Sequence, residues 1–368
     1  MEAMNAAALF TPLTIGPLTL PNRIVMAPMT RNFSPGGIPG PDVAAYYRRR
    51  AENGVGLIVT EGTVIDHPAS TDSVRVPSFF GAAALAGWGH VVAAVHAAGG
   101  RIMPQIWHVG MRRAPGTGPH PEALSAGPSG LDHTGKQLSP PLTEAEIVAL
   151  IDAYGRAAGD AKRLGFDGVE IHGAHGYLID QFFWDFTNKR TDAYGGDLVG
   201  RTRFGAEVIR ACRRATSPDF PICLRFSQWK GNHYDARLAT TPDELSRFLT
   251  PLADAGADIF HCSTRKFWEP EFDRSNLTLA GWTKTLTGKP TIAVGSVGLT
   301  GDFISWFGGA ATGAQGIDEL LTRLDAGEFD LVAIGRALLA DPAWAIKVRD
   351  DRPGDITTFT RDVLVTLS

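Results

Sequence analysis

The chain has 368 residues, of which 44% are hydrophobic and 20% charged, so it can bury a sizeable core and does not resemble an intrinsically disordered protein. Its 35 Lys and Arg residues against 39 Asp and Glu residues give a net charge of −4, which offers no basic surface for nucleic acid or an anionic membrane. The cysteines Cys212, Cys223 and Cys262 lack CxxC spacing, so we expect no disulfide framework and no four-cysteine metal site, as in a cytoplasmic protein.

Residues 1–23 contain neither a basic stretch nor a long apolar one, so we expect no signal peptide there and instead a hairpin lid that closes one end of the fold. Beyond it, short apolar runs predict strands, and helical stretches that end in glycine separate them. The predicted strands are 24–27, 57–60, 101–105, 169–172, 222–226, 259–262, 291–294 and 331–334. The predicted helices lie near 41–53, 82–98, 143–164, 201–215, 241–255, 282–286, 316–326 and 336–349.

Residues 76–100 are uncharged, but their large apolar side chains recur every three to four positions, which is typical of a buried helix and not of a membrane span. Strands alternating with helices predict a parallel sheet covered by helices, and eight repeats favour a closed (β/α)8 TIM barrel of the α/β class. The sequence contains no GxGxxG or P-loop motif, so it does not support an open, doubly wound sheet of the Rossmann or P-loop kind. We therefore expect one domain, 1–368, with extended βα loops on the catalytic face.

Two glycine corners follow the last two predicted strands, Gly295-Ser296 in AVGSVG and Gly335-Arg336 in AIGRALL. Barrels often bind a phosphate at this position, where backbone N–H groups and a fixed positive charge favour an anion. The corners are equally compatible with plain turns of the barrel. They are candidate phosphate-binding residues.

The segment HGAHGY places His172, His175 and Tyr177 just beyond the fourth barrel strand. Zinc binding lacks a third ligand at convincing spacing, so we expect no metal here. As hydrogen-bond donors, the two imidazoles would polarise a carbonyl while the phenol keeps a transferable proton. The alternative is that all three side chains are structural and have their hydrogen bonds satisfied within the fold.

Arg225 ends the apolar strand PICLRF, so it faces either the barrel mouth or a buried partner. Beside a developing anion it would be catalytic; otherwise it would pair internally with Glu170 or Glu61. The same two carboxylates suggest a rival chemistry, a barrel hydrolase, which needs a pair of carboxylates flanking a bond.

Several segments, in order along almost the whole chain, resemble the Old Yellow Enzyme family of FMN-dependent ene-reductases. They are LFTPLTIGPLTLPNRIVMAPMTR at 9–31, AAYYRRRAENGVGLIVTEGT at 44–63, RIMPQIWHVGM at 101–111, GVEIHGAHGYLIDQF at 168–182, NKRTDAYGG at 188–196 and LVAIGRALLADPAW at 331–344. The resemblance implies a TIM barrel with noncovalent FMN and with NADPH or NADH as hydride donor.

The resemblance also implies roles for individual residues. The flavin would contact Ala27, Pro28, Met29, Thr30, Gly62, Gln105, His172 and Arg225, and its phosphate Gly295, Ser296, Gly335 and Arg336. His172 and His175 would hold the oxygen of an activated alkene, and Tyr177 would protonate its α-carbon. Trp107 and Trp268 are further candidates for substrate contacts, with plain packing as the alternative for Trp268.

The expected function is therefore reduction of the activated C=C bond of α,β-unsaturated carbonyl or nitro compounds. Three alternatives stay open: an amine or ester oxidoreductase on the same scaffold, the hydrolase with Glu61 and Glu170, and a barrel that only binds ligands. The expected partners are a small activated alkene and NAD(P)H, with no nucleic acid and no membrane, and a homo-oligomer is compatible with the sequence.

Overall fold

In the computed structural model, which describes residues 6–302 and 316–368, eight parallel strands close into a barrel. A hairpin, β1 (Leu13–Ile15) and β2 (Leu18–Leu20), precedes them. The barrel strands are β3 (Ile24–Met26), β4 (Leu57–Val64), β5 (Arg101–Trp107), β6 (Val169–His175), β7 (Ile222–Lys230), β8 (Ile259–Ser263), β9 (Thr291–Val294) and β10 (Leu331–Ile334). All eight predicted strands and the (β/α)8 fold are confirmed, and β4 to β8 run past their predicted ends.

Alternation along each strand separates two apolar clusters. Ile58, Ile102 and Ile171, for example, face outward and pack with the helices. Their neighbours Leu57 and Met103 face the barrel interior. The interior cluster continues into the hairpin through Ile15, Leu18 and Leu20, which confirms the predicted hairpin lid; residues 1–5 of that segment lie outside the described residues.

The helices cover the barrel much as predicted. They span Pro41–Glu52, Ala82–Ala97, Glu144–Leu164, Leu178–Phe183, Leu198–Arg201, Arg203–Ala215, Pro242–Asp254, Leu279–Thr287, Asp318–Asp325, Arg336–Ala340 and Trp344–Arg349. The prediction of a single helix over 336–349 is wrong, because the structure has two helices there, Arg336–Ala340 and Trp344–Arg349. Asp341 is extended, with φ −137° and ψ 96°, because the proline that follows it disfavours helical backbone.

The uncharged stretch 76–100 forms the helix Ala82–Ala97, which buries Leu85, Trp88 and Val91 among other side chains. Within the described ranges, no helix combines the length and the apolar character needed to cross a bilayer. The prediction of a buried helix is confirmed.

Candidate active site

A cavity of about 560 Å³ lies at the carboxyl ends of the barrel strands, within the size range of small-molecule sites. Its wall contains all but one of the residues that sequence reasoning assigned to cofactor or substrate. These are Ala27, Pro28, Met29, Thr30, Gly62, Gln105, Trp107, His172, His175, Tyr177, Arg225, Gly295, Ser296, Gly335 and Arg336. Residues from every barrel strand or the loop that follows it thus converge on one volume.

Trp268 is the exception. It is not among the residues of the cavity wall, and its ring packs edge-on against Phe267 with centroids 5.1 Å apart. Its carbonyl accepts a hydrogen bond from Arg323. The structure therefore does not bring Trp268 to the substrate cavity, and the packing alternative describes it better.

The two glycine corners meet at one end of the cavity. Gly295 has φ +146°, and a Cβ there would lie 2.8 Å from the carbonyl oxygen of Thr264, so only glycine permits this approach. Arg336 Nη2 donates to the Gly301 carbonyl at 2.6 Å and lies 3.5 Å from Ser296 Oγ. These contacts hold one guanidinium beside the two glycine corners, an arrangement suited to a phosphate.

Beneath the cavity, buried polar side chains form a network across neighbouring strands. Glu170 accepts hydrogen bonds from Gln105 Nε2 at 2.8 Å and from His261 Nδ1 at 2.6 Å. Burial raises the pKa of Glu170, but the charges of His261 and Arg225 and these hydrogen bonds outweigh it, so its net pKa is lowered. Because Gln105 gives its N–H to Glu170, its carbonyl oxygen is left as the acceptor for a ligand.

Arg225 is buried in this wall. It does not form the internal ion pair with Glu170 or Glu61 that was the alternative to its facing the barrel mouth. Its Nη2 lies 3.3 Å from Ser263 Oγ, and no Asp or Glu among the described residues lies within salt-bridge distance. Nε has no partner within the described parts of the chain. The guanidinium is thus available to a negatively charged ligand.

The end of β6 carries the three candidate catalytic side chains. The ring centroid of His172 lies 5.2 Å from that of His175 and 5.1 Å from that of Tyr177. Trp107 packs edge-on against Tyr177 at 4.9 Å, and Trp229 stacks on His175 at 4.4 Å. The aromatic walls fix these rings, so the two imidazoles and the phenol share one face of the cavity.

Burial sets the protonation of this group. It lowers the pKa of His172 to about 3, with the Arg225 charge acting in the same direction, and lowers that of His175 well below its usual value. Burial raises the pKa of Tyr177, although the nearby charge of Arg112 opposes the rise. Near neutral pH the site therefore holds two neutral imidazoles and a protonated phenol.

Glu61 lies outside the cavity because of an irregularity in β4. The pairing register of β4 with β5 shifts between Val59 and Gly62, which brings Gly62 beside Gln105. A Cβ on Gly62 would lie 2.6 Å from the Trp107 ring. Glu61 instead accepts the backbone N–H of Arg31 at 2.8 Å, and Glu170 is engaged in the network beneath the cavity. The hydrolase alternative fails, because neither carboxylate lines the cavity.

We expect Glu61→Gln to stabilise the protein at pH 8 but not at pH 4. Burial raises the pKa of Glu61 to about 7, so the folded state binds its proton more tightly than the unfolded chain. Stability from this group is present below the unfolded pKa and is lost as pH rises through about 7. Thermal unfolding across this range should show a gain for the variant of up to about 3 kcal/mol at the alkaline end. An equal effect at both pH values would contradict the assignment.

The structure adds residues that sequence reasoning missed. Trp229 and Ser263 line the cavity at the ends of β7 and β8. Trp229 follows Arg225 by four positions, so continued strand alternation past residue 226 was a signal for it. Phe359 and Leu364 also reach the wall, from the segment after the last α-helix, and no sequence pattern indicated them.

Several polar nitrogens of the wall are buried with no hydrogen-bond partner among the described residues: Trp107 Nε1, His172 Nδ1, Arg225 Nε and Arg336 Nη1. Buried polar atoms of this kind are costly unless a ligand satisfies them. Two are cationic, and Gln105 presents an acceptor in the same cavity. A large anionic ligand with both polar edges and a phosphate, such as FMN, fits this set.

Comparison with known proteins agrees with this geometry. The sequence model of the NADH:flavin oxidoreductase / NADH oxidase family matches residues 8–302. The 12-oxophytodienoate reductase 1 of Oryza sativa subsp. japonica is 42% identical over 380 residues, covering 99% of this chain and 93% of the relative. The 12-oxophytodienoate reductase 2 of Arabidopsis thaliana is 33% identical, covering 99% of this chain and 95% of the relative.

Among solved structures, a morphinone reductase mutant in complex with tetrahydroNAD superposes with a TM-score of 0.80 at 30% identity, covering 97% of this chain and 93% of that chain. The family model, the relatives and the structure agree with the resemblance in the sequence. The chain therefore belongs to the NADH:flavin oxidoreductase / NADH oxidase family, which is the Old Yellow Enzyme family of FMN-dependent oxidoreductases.

Proposed function

We propose that this FMN-dependent enzyme reduces the activated C=C bond of α,β-unsaturated carbonyl or nitro compounds at the expense of NADPH or NADH. The observation that carries the proposal is the meeting of His172, His175 and Tyr177 in the cavity that also contains the candidate FMN-binding residues. Relatives named as 12-oxophytodienoate reductase and a morphinone reductase bound to tetrahydroNAD support it.

The residues divide the cavity into a cofactor part and a substrate part. Gly295, Ser296, Gly335 and Arg336 would hold the FMN phosphate, and Gln105 and Arg225 would meet the polar edge of its ring. When bound, FMN supplies the hydride that an electron-poor alkene accepts. The chain supplies binding, orientation and charge.

His172 and His175 would activate the substrate by donating hydrogen bonds to its carbonyl or nitro oxygen. Both are neutral, so each ring offers one N–H. His172 Nδ1 has no partner in the described chain, and with Ser263 Oγ donating to His175 Nε2 at 2.8 Å the N–H of His175 is on Nδ1. Such fixed donors in a buried site stabilise negative charge as it develops on the oxygen.

Tyr177 would complete the reduction by giving its hydroxyl proton to the α-carbon. Its raised pKa keeps the hydroxyl protonated until negative charge develops on the α-carbon, which then accepts the proton. The Arg112 guanidinium lies 5.3 Å from the ring centroid, where its charge favours the phenolate left behind.

The test is spectroscopic. We expect the purified protein to bind FMN, to lose its yellow colour anaerobically with NADPH or NADH, and to regain it with 2-cyclohexenone. Cyclohexanone, which lacks the C=C bond, is the matched control and should leave the protein bleached. A chain that cannot be loaded with FMN would refute the proposal, and bleaching by an amine but not by NADPH would favour the amine oxidoreductase.

We propose a cytoplasmic location for this reaction. Cys212, Cys223 and Cys262 are all unpaired and buried, as expected in a reducing compartment. NADPH and NADH are also supplied in such compartments.

A further inference from the structure

A buried ion pair lies directly behind the catalytic turn. Lys230 Nζ and Asp180 Oδ1 are 2.6 Å apart, and both side chains are completely buried. Asp180 belongs to the helix Leu178–Phe183, which follows the turn, and Lys230 is the last residue of β7. Neither residue lines the cavity, so neither touches substrate or cofactor.

Each member of the pair is linked to the segment that carries the catalytic side chains. Asp180 Oδ2 accepts the backbone N–H of Gly176 at 2.7 Å. Lys230 Nζ donates to the Ser227 carbonyl at 3.0 Å, and Ser227 Oγ accepts the backbone N–H of His175 at 3.0 Å. The ion pair thus joins the two anchors of the turn.

The turn needs such anchors because its backbone is strained. His175 has φ +64° and Gly176 has φ +77°, and a left-handed conformation is unfavourable for a residue that is not glycine. The next residue is Tyr177, so this turn carries two of the three candidate catalytic side chains. If the turn relaxed, both the His175 ring and the Tyr177 hydroxyl would leave their places.

A buried ion pair is a poor device for stability alone, since an apolar pair of similar size often serves as well or better. What an apolar pair cannot supply is the acceptor for Gly176. We propose that Asp180 and Lys230 are positioning residues, which hold the turn 175–177 so that His175 and Tyr177 project into the cavity. The kinetic part of this inference rests on the role proposed above for Tyr177.

Two double variants separate positioning from stability. D180L/K230M removes the buried charges and also the acceptor for Gly176. The matched control D180N/K230M removes the same charges, but the Asn carbonyl oxygen can still accept from Gly176. Holoenzymes with each pair of changes are compared by hydrogen exchange of peptides covering residues 173–183 and by stopped-flow kinetics of FMN reduction by NADPH and of re-oxidation by 2-cyclohexenone.

We expect D180L/K230M to exchange faster at the turn and to re-oxidise about tenfold more slowly or worse, with FMN reduction within about twofold of the parent protein. D180N/K230M keeps the acceptor for Gly176 and loses the link from Lys230 to Ser227, so its exchange and its re-oxidation should fall between those of the parent and of D180L/K230M. Equal behaviour of the two double variants, or equal slowing of both half-reactions with a matching loss of melting temperature, would overturn the inference.

Failure of the proposed function has a different signature. If Tyr177→Phe leaves re-oxidation unchanged while exchange at the turn is still faster in D180L/K230M than in D180N/K230M, the proton donor is wrongly assigned and the positioning of the turn is upheld. If D180L/K230M does not fold, D180A/K230M, with a smaller side chain in the same place, carries the same comparison.

Discussion

Tyr177→Phe is expected to slow alkene-dependent re-oxidation of the reduced enzyme by about a hundredfold, a typical loss for a removed general acid. Phe keeps the edge-on packing against Trp107 and the contact with the Arg112 guanidinium, so the cavity keeps its shape. His172 and His175 are untouched, and the affinity for the alkene should therefore change little. Single-turnover stopped-flow kinetics with an excess of enone measures the effect.

The reductive half-reaction is the internal control. Reduction of FMN by NADPH needs no proton at the substrate carbon, so Tyr177→Phe should leave its rate nearly unchanged. A loss shared equally by both half-reactions would assign Tyr177 to packing or to cofactor binding. A solvent isotope effect present in the parent protein and reduced in the variant would point to the hydroxyl proton itself.

Arg336→Met should weaken FMN binding by on the order of a hundredfold, because a charge-assisted hydrogen bond to the phosphate is lost in a largely buried site. Arg336 is 9% exposed, and its Nη1 has no partner within the described ranges. Riboflavin, which lacks the phosphate, is the matched ligand, and its affinity should change by less than about threefold. Quenching of flavin fluorescence on titration of the FMN-free chain gives both constants.

The ratio of the two affinities decides the assignment. If FMN and riboflavin weaken together, Arg336 supports the fold and does not bind the phosphate. A preserved preference for FMN in the variant would move the phosphate site away from the corner formed by Gly295, Ser296 and Gly335.

Much of this site was accessible from sequence because a parallel barrel presents the ends of its strands at one rim. Once the eight apolar runs were recognised, the residues that follow them had to lie close together. The residues near the predicted strand ends include Gln105, His172 and Arg225, and all three line the cavity.

The parts that sequence reasoning missed depend on departures from regular pairing. The shift between Val59 and Gly62 reverses the sides on which Glu61 and Gly62 would otherwise lie, and no residue type announces it. Phe359 and Leu364 reach the cavity through tertiary contacts of the chain's last segment. The Lys230–Asp180 pair joins residues 50 positions apart, a distance that composition and periodicity do not bridge.

The hairpin beneath the barrel determines the side from which reactants can reach the cavity. Its Leu18 and Leu20 share one apolar cluster with Ala27 and Ala333, which lie in the cavity wall, so the amino end of the barrel is plugged up to the floor of the site. A nicotinamide and an alkene that use this cavity would therefore both enter from the carboxyl side of the barrel. Alkene in large excess would then occupy the cavity that the nicotinamide must enter, and would slow the reduction of FMN on which its own reduction depends.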